Sequence, residues 1–292
     1  MSAHNRARLM LIASMAIFGT IGYFVRHIAV SSAELALYRA VMAALLLTGY
    51  FLFSRNRISL KSIGKELPLL LLSGMAMGVN WILLFEAYKY TTVSVATLSY
   101  YFAPVLVTLA CPVLFKEKLG KLQWLCFGMS TLGLTLITGL GDLSAGSSHL
   151  TGILFGLGAA VLYASVMLLN KAIKGVSGLQ RTYLQFLAAI VILLPYVLLT
   201  GGFTLNTLDV PGWVNLLIVG IVHTCLAYCL YFPALKETPG QEAAILSYID
   251  PLLAVVVSVT LLGESMSLVQ LIGGVLILGF TLLNELHPRT KV

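Results

Sequence analysis

Asp250 lies near the middle of an apolar stretch and is followed directly by Pro251. A carboxylate deep in hydrocarbon costs roughly 2.5–3.5 kcal/mol on insertion scales, so it needs a wet cavity, a partner or a proton. There it can bind a ligand's ammonium group or carry a coupling proton. The competing reading is a packing acid bonded to backbone amides freed by Pro251. His223 occupies the centre of another apolar stretch. Imidazole titrates near neutrality, which suits a proton relay or a ligand contact; a lone histidine between helices is equally read as a hydrogen-bonded packing residue. Asn80 stands near the centre of a third stretch. An unpaired amide in lipid is costly, so Asn80 faces a cavity or bonds a neighbouring helix. Arg39 and Glu86 lie nearer the ends of their stretches, where snorkelling to the interface accounts for them, with an Arg39–Glu86 pair as the lesser alternative.

Aromatic residues supply the rest of a candidate binding set. Trp81, Tyr101, Tyr163, Tyr228 and Tyr248 fall within apolar stretches and could wall a pocket with Asn80, His223 and Asp250. Such walls hold flat apolar or cationic ligands by stacking and cation–π attraction; membrane packing or an interfacial belt explains any one of them taken singly. Pro104 and Pro251 each remove a backbone hydrogen bond and are expected to kink their helices, as bending points or as static kinks. Gly74-xxx-Gly78 and Gly152-xxx-Gly156 permit close helix approach.

The elements that position these residues follow from composition. Hydrophobic residues make up 59% of the 292-residue chain and charged residues 10%, and the mean hydropathy is +0.96. A soluble chain carries roughly 25% charge, so polar surface is too scarce to coat a water-exposed fold. A cytosolic enzyme, a nucleic-acid binder and a disulfide-stapled secreted module are excluded. Cys111, Cys126, Cys225 and Cys229 all fall inside apolar stretches and read as packing residues. The stretches are Leu9–Ile28, Ala33–Phe53, Leu67–Tyr88, Ser94–Phe115, Gln123–Leu140, Leu150–Asn170, Leu179–Leu199, Gly212–Leu235, Gln241–Leu262 and Leu268–Leu286. Each matches the roughly 20 residues of a spanning helix and exceeds a barrel strand, and lipid leaves a backbone no third choice. The expectation is an all-α integral membrane protein with ten transmembrane helices. The first stretch is longer than the 7–15 apolar residues of a cleavable signal and is kept as a helix.

Orientation follows from the connectors. Arg6, Arg8, Arg55, Arg57, Lys61, Lys65, Lys116, Lys118, Lys121, Lys171, Lys174, Arg181, Lys236, Arg289 and Lys291 share one side, and only Arg26 and Lys89 share the other. Basic residues face the cytoplasm, so both termini are expected there. This asymmetry, not an acidic partner, accounts for the net charge of +7.

The two halves match at a fixed offset. Phe85-Glu-Ala87-Tyr-Lys89-Tyr-Thr91 pairs with Phe232-Pro-Ala234-Leu-Lys236-Glu-Thr238, and Tyr101-Phe-Ala-Pro104 pairs with Tyr248-Ile-Asp-Pro251. Glu117 and Gln123 follow the first proline at the spacing with which Glu264 and Gln270 follow the second. Trp81 and Tyr228 are also mates. Residues 1–142 and 143–292 are therefore read as two five-helix repeats. Five is odd, so the second repeat is inverted. Many secondary transporters are built this way, with a substrate site near the midplane between repeats and alternating access by rocking.

A Tyr/Pro-bearing fourth helix ending in Glu in each half, Pro104…Glu117 and Pro251…Gly263-Glu264, resembles the drug/metabolite transporter superfamily. Within it the chain is similar to the EamA-type exporters across nearly its whole length, with Lys116-Glu117 standing where the family often has Gly-Glu. The resemblance implies export of small metabolites across a bacterial cytoplasmic (inner) membrane, and exporters of aromatic amino acids are the nearest match within it. A quaternary-cation or multidrug exporter is the alternative cargo class, and a channel the alternative mechanism. Sparse charge near the midplane argues against phosphate-bearing cargo.

Gly139-Leu-Gly141-Asp142 has the form of an intramembrane aspartyl protease motif, but it falls in an expected external turn far from Asp250, and turn chemistry explains it. There is no His-Glu-x-x-His and no Walker phosphate loop. The sequence therefore calls for no enzyme, catalytic residue, metal or cofactor. Its partners are a small-molecule substrate and the lipid bilayer, with no nucleic acid; the oligomeric state is open, and a monomer is compatible with the sequence.

Overall fold

The computed structural model describes residues 3–53, 60–115, 119–138, 148–173, 175–176, 178–238 and 240–286. Glu117 and the Gly139–Asp142 motif lie outside the described residues, as do the side chains of Cys111, Phe232 and Lys236.

All regular structure among these residues is helical. The first half holds α1 (Ala3–Arg26), α2 (Ser32–Phe53), α3 (Leu60–Tyr90), α4 (Val93–Tyr100), α5 (Ala103–Phe115) and α6 (Lys121–Thr138). The second holds α7 (Ser148–Ala172), α8 (Gly178–Thr200), α9 (Val210–Gly220), a π-turn (Ile221–Leu226), α10 (Ala227–Glu237), α11 (Gly240–Ser247), α12 (Ile249–Thr260) and α13 (Leu268–Leu286). Eight helical segments are long and apolar enough to cross a membrane, and Ile245–Thr260 is a shorter apolar helix. The chain is a multi-pass membrane protein. Helix α6 fills the fifth expected stretch in 18 residues and opens on the polar Lys121 and Gln123.

Helices prevail because only they satisfy every backbone group without water. Three interruptions depart from that rule. The fourth and ninth stretches were expected as kinked helices; instead they break. Pro104 is the second residue of α5 and Pro251 the third of α12. In a first helical turn the missing proline N–H has no intrahelical acceptor anyway, so the chain restarts a helix there. The loose ends are tied by short-range bonds: Tyr101 N to Thr97 O at 2.9 Å, Phe102 N to Ser99 O at 3.2 Å, and Tyr248 N to Ile245 O at 3.2 Å. The third interruption is the π-turn, where Thr224 Oγ1 donates to Val219 O at 3.0 Å.

Packing repeats between the halves. Helix α3 lies along α7 as α10 lies along α1, and α4 and α5 lie against α7 as α12 lies against α1. Helices α6 and α13 pair with each other, as do α2 and α8. Lipid supplies no hydrophobic drive between helices, so close backbone approach carries the association. A Cβ on Gly74 would lie 2.9 Å from the Gln185 Cα, and one on Gly152 would lie 2.8 Å from the Thr91 amide nitrogen. Gly133 and Gly273 face each other the same way across α6 and α13.

Candidate functional site

A cavity of about 540 Å³ opens between the two packed halves. Small-molecule sites usually span about 300–1,000 Å³. Its wall draws on both halves: Phe18 from α1, Arg39 from α2, Asn80, Trp81, Phe85 and Tyr88 from α3, Tyr163 from α7, Tyr228 and Tyr231 from α10, and Glu285 from α13. The two helix breaks add Tyr100, Tyr101 and Pro104 on one side and Tyr248 and Asp250 on the other. Breaking the helices beside the prolines is what turns these side chains inward: irregular backbone is tolerated at membrane depth only where it borders protein or a wet void.

Aromatic rings make up much of the wall, and Phe186 packs behind two of them. Phe186 sits between the repeat mates, with centroids 5.8 Å from Trp81 and 5.6 Å from Tyr228. Phe18 continues the row 5.4 Å beyond Tyr228. Tyr100 and Tyr163 stack at 5.0 Å. Polar groups punctuate the wall. The Tyr101 hydroxyl donates to Asp250 Oδ2 at 2.7 Å, joining the two helix breaks. Asn80 Nδ2 donates to the Ala159 carbonyl at 2.6 Å, so this amide both borders the cavity and ties α3 to α7.

The structure thus gathers Asn80, Trp81, Tyr101, Tyr163, Tyr228, Tyr248 and Asp250 around one void, with Pro104 beside them. Pro251 is buried at the start of α12 and does not border it. His223 is a correction. It is 1% exposed and turned away from the cavity, with Nε2 2.9 Å from Thr20 Oγ1 and its ring 4.9 Å from Phe24. The physical reason is the π-turn: one inserted residue rotates the helix face by about 100°, which presents the imidazole to α1.

Arg39 is the second correction. It does not snorkel. It is 6% exposed, and its guanidinium carbon lies 4.7 Å above the Trp81 ring and 5.6 Å from the Phe85 ring. Glu86 instead pairs with Lys89 at 3.0 Å. Tyr88, Tyr100, Tyr231 and Glu285 also belong to the wall without having been singled out. Arg39 had a legible signal, since no acidic residue stands three or four positions away on its helix. The tyrosines had none, because depth alone does not tell which way a side chain points.

Such a chamber has one guanidinium and two carboxylates among its described walls and can bind and release a small polar-ended, aromatic or apolar molecule. The EamA-like transporter family matches the chain twice, over residues 5–139 and 150–285, once in each half. A Bacillus subtilis (strain 168) protein named "Uncharacterized transporter YxxF" is 32% identical over 292 residues, covering 98% of this chain and 92% of its own. An Archaeoglobus fulgidus protein named "Uncharacterized transporter" is 28% identical over 277 residues, covering 94% of each chain. A crystal structure of a protein with 16% identity shares the fold at a TM-score of 0.65, covering 94% of this chain and 95% of that one. Two family matches, one on each side of the cavity that the halves enclose, settle the assignment: this chain belongs to the EamA-like transporter family and is a membrane transporter.

Proposed function

We propose that the protein is a secondary transporter that exports small metabolites, amino acids with aromatic side chains foremost, from a bacterial cytoplasm. On this reading ten spans form a five-plus-five inverted repeat with both termini in the cytoplasm, and a single chain carries out transport by alternating access. The observation that carries the reading is the aromatic-walled cavity of about 540 Å³ drawn from both repeats. Asn80, Trp81, Tyr101, Tyr163, Tyr228, Tyr248 and Asp250 are the proposed cargo contacts. Pro104 and Pro251 are the proposed bending points, because each stands where a helix already restarts. His223 is left out of the contact set.

Asp250 among aromatic rings also suits a quaternary cation, so the cargo class is the point to test. Uptake of labelled tryptophan, phenylalanine and a quaternary ammonium dye into proteoliposomes separates the two. We expect the amino acids to be carried and to show counterflow. Dye transport alone would overturn the amino-acid reading, and unsaturable flux without counterflow would replace the carrier by a channel.

A further inference from the structure

We propose that Arg39 is the anion anchor of the cavity: its guanidinium takes a carboxylate of the cargo, so the site selects zwitterions over amines of the same shape. The inference rests on the transport reading above and adds to it one residue and one chemical requirement.

Arg39 stands in the first half of α2, whose neighbouring positions Ala36, Ala40 and Ala43 are buried in the packed core. A snorkelling side chain would run to the interface. This one turns inward onto Trp81 and Phe85. Trp81 lies about 13 Å along the helix axis from the end of α3 at Tyr90, at 1.5 Å per residue, so the charge is held well inside the bilayer core. Of the basic side chains, the guanidinium holds its proton most strongly.

Among the described residues this charge has no ion-pair partner. Nε is buried without an acceptor. No described carboxylate is ion-paired with it, Glu285 on the cavity wall included. Glu34 accepts from Thr204 N at 2.8 Å and the Tyr38 hydroxyl at 2.9 Å, Glu264 pairs with Arg26 at 3.0 Å, and Asp250 accepts from Tyr101. A ring below the guanidinium accepts none of its N–H bonds in the plane, so the five donors of the planar fork are left to be satisfied. Arg39 is one of the side chains that border the cavity. A buried charge without a partner is strongly unfavourable, and a carboxylate is the anion whose geometry the fork matches with two parallel bonds.

The rest of the wall narrows the ligand. Asp250 and Glu285 border the same void, so a dianion would meet two negative groups and one positive, whereas a zwitterion brings its carboxylate to Arg39 and its ammonium to the carboxylates. A cation lacking a carboxylate would leave Arg39 unpaired. A zwitterion with an aromatic or apolar body satisfies all three features.

Tryptophan and tryptamine share ring and ammonium and differ only in the carboxylate. In proteoliposomes carrying the full chain, tryptophan should be favoured over tryptamine by at least about tenfold, because an analogue that leaves a buried polar group of the site unpaired is rejected. Arg39→Gln should bring the two to near-equal uptake without lowering the thermal midpoint of the empty protein. Equal uptake of the two by the unaltered protein overturns the proposal. So does an unchanged preference in Arg39→Gln accompanied by a fall in midpoint, which marks a structural arginine. If neither compound is carried, the aromatic amino-acid reading fails and the anchor is read separately with benzoate. A benzoate-induced rise in midpoint that Arg39→Gln abolishes upholds the anchor; no rise in the unaltered protein overturns it. The comparisons on the unaltered protein hold even if Arg39→Gln does not fold.

Discussion

Arg26 and Glu264 join the two halves of the chain at 3.0 Å. The same guanidinium donates to the Thr91 carbonyl, while the second Glu264 oxygen accepts from Val93 N at 2.8 Å and from the Ser258 hydroxyl. One carboxylate thus fastens the end of α1, the turn between α3 and α4, and the end of α12. In the expected topology this contact lies on the outer side, where it would latch the two halves together. Glu264→Ala strands the Val93 donor, a loss of about 1–3 kcal/mol, and should lower the thermal midpoint. Hydrogen exchange at Val93 and its neighbours should speed up; exchange as slow as in the unaltered protein would remove the latch.

Asp250 is held by one hydroxyl, and that bond is open to dissection. Tyr101→Phe removes the 2.7 Å contact but leaves the ring. If the carboxylate must be aimed at a ligand ammonium, tryptophan affinity should fall by about tenfold, the worth of one charge-assisted bond, and Asp250→Asn should fall at least as far. Affinity unchanged in both variants would make Asp250 a packing acid.

The helix restarts give a kinetic prediction. Replacing Pro104 or Pro251 by Ala allows α4 to run into α5, or α11 into α12, because each new N–H can bond four residues back. Turnover should slow while substrate affinity stays nearly constant. A loss of affinity at unchanged turnover would show that the prolines shape the cavity and do not serve its motion.

Glycine positions separate packing from mere smallness. A methyl at Gly74 would strike the Gln185 backbone, whereas one at Gly128 would meet nothing within 4 Å. Gly74→Ala should lower the thermal midpoint by an amount corresponding to about 1–3 kcal/mol of overpacking. Gly128→Ala should leave it unchanged or raise it, since alanine restricts the unfolded chain. Equal effects at the two sites would contradict the α3–α8 crossing.

The membrane class, the apolar segments and the doubling of the chain were legible in one dimension, because each depends on which residue types recur and at what interval. The motif Tyr-x-x-Pro marked both places where a helix restarts, although not that the helix breaks there, since a proline sits equally well in a kink or a first turn. Position along the apolar stretches singled out Asn80 and Asp250, and repeat symmetry singled out Trp81; the fold brings all three to one void.

Azimuth was not legible. Position along the helix favoured His223 over Arg39 for the cavity, and the packed helices place Arg39 on its wall and His223 away from it. A π-turn gave the imidazole to Thr20, and the neighbouring α3 offered the guanidinium two ring faces in place of the interface. Sequence fixes how far along its helix a side chain stands. The direction it faces, and whether its charge finds a partner, depend on local helix register and on neighbours far away in the chain, so only tertiary packing decided them.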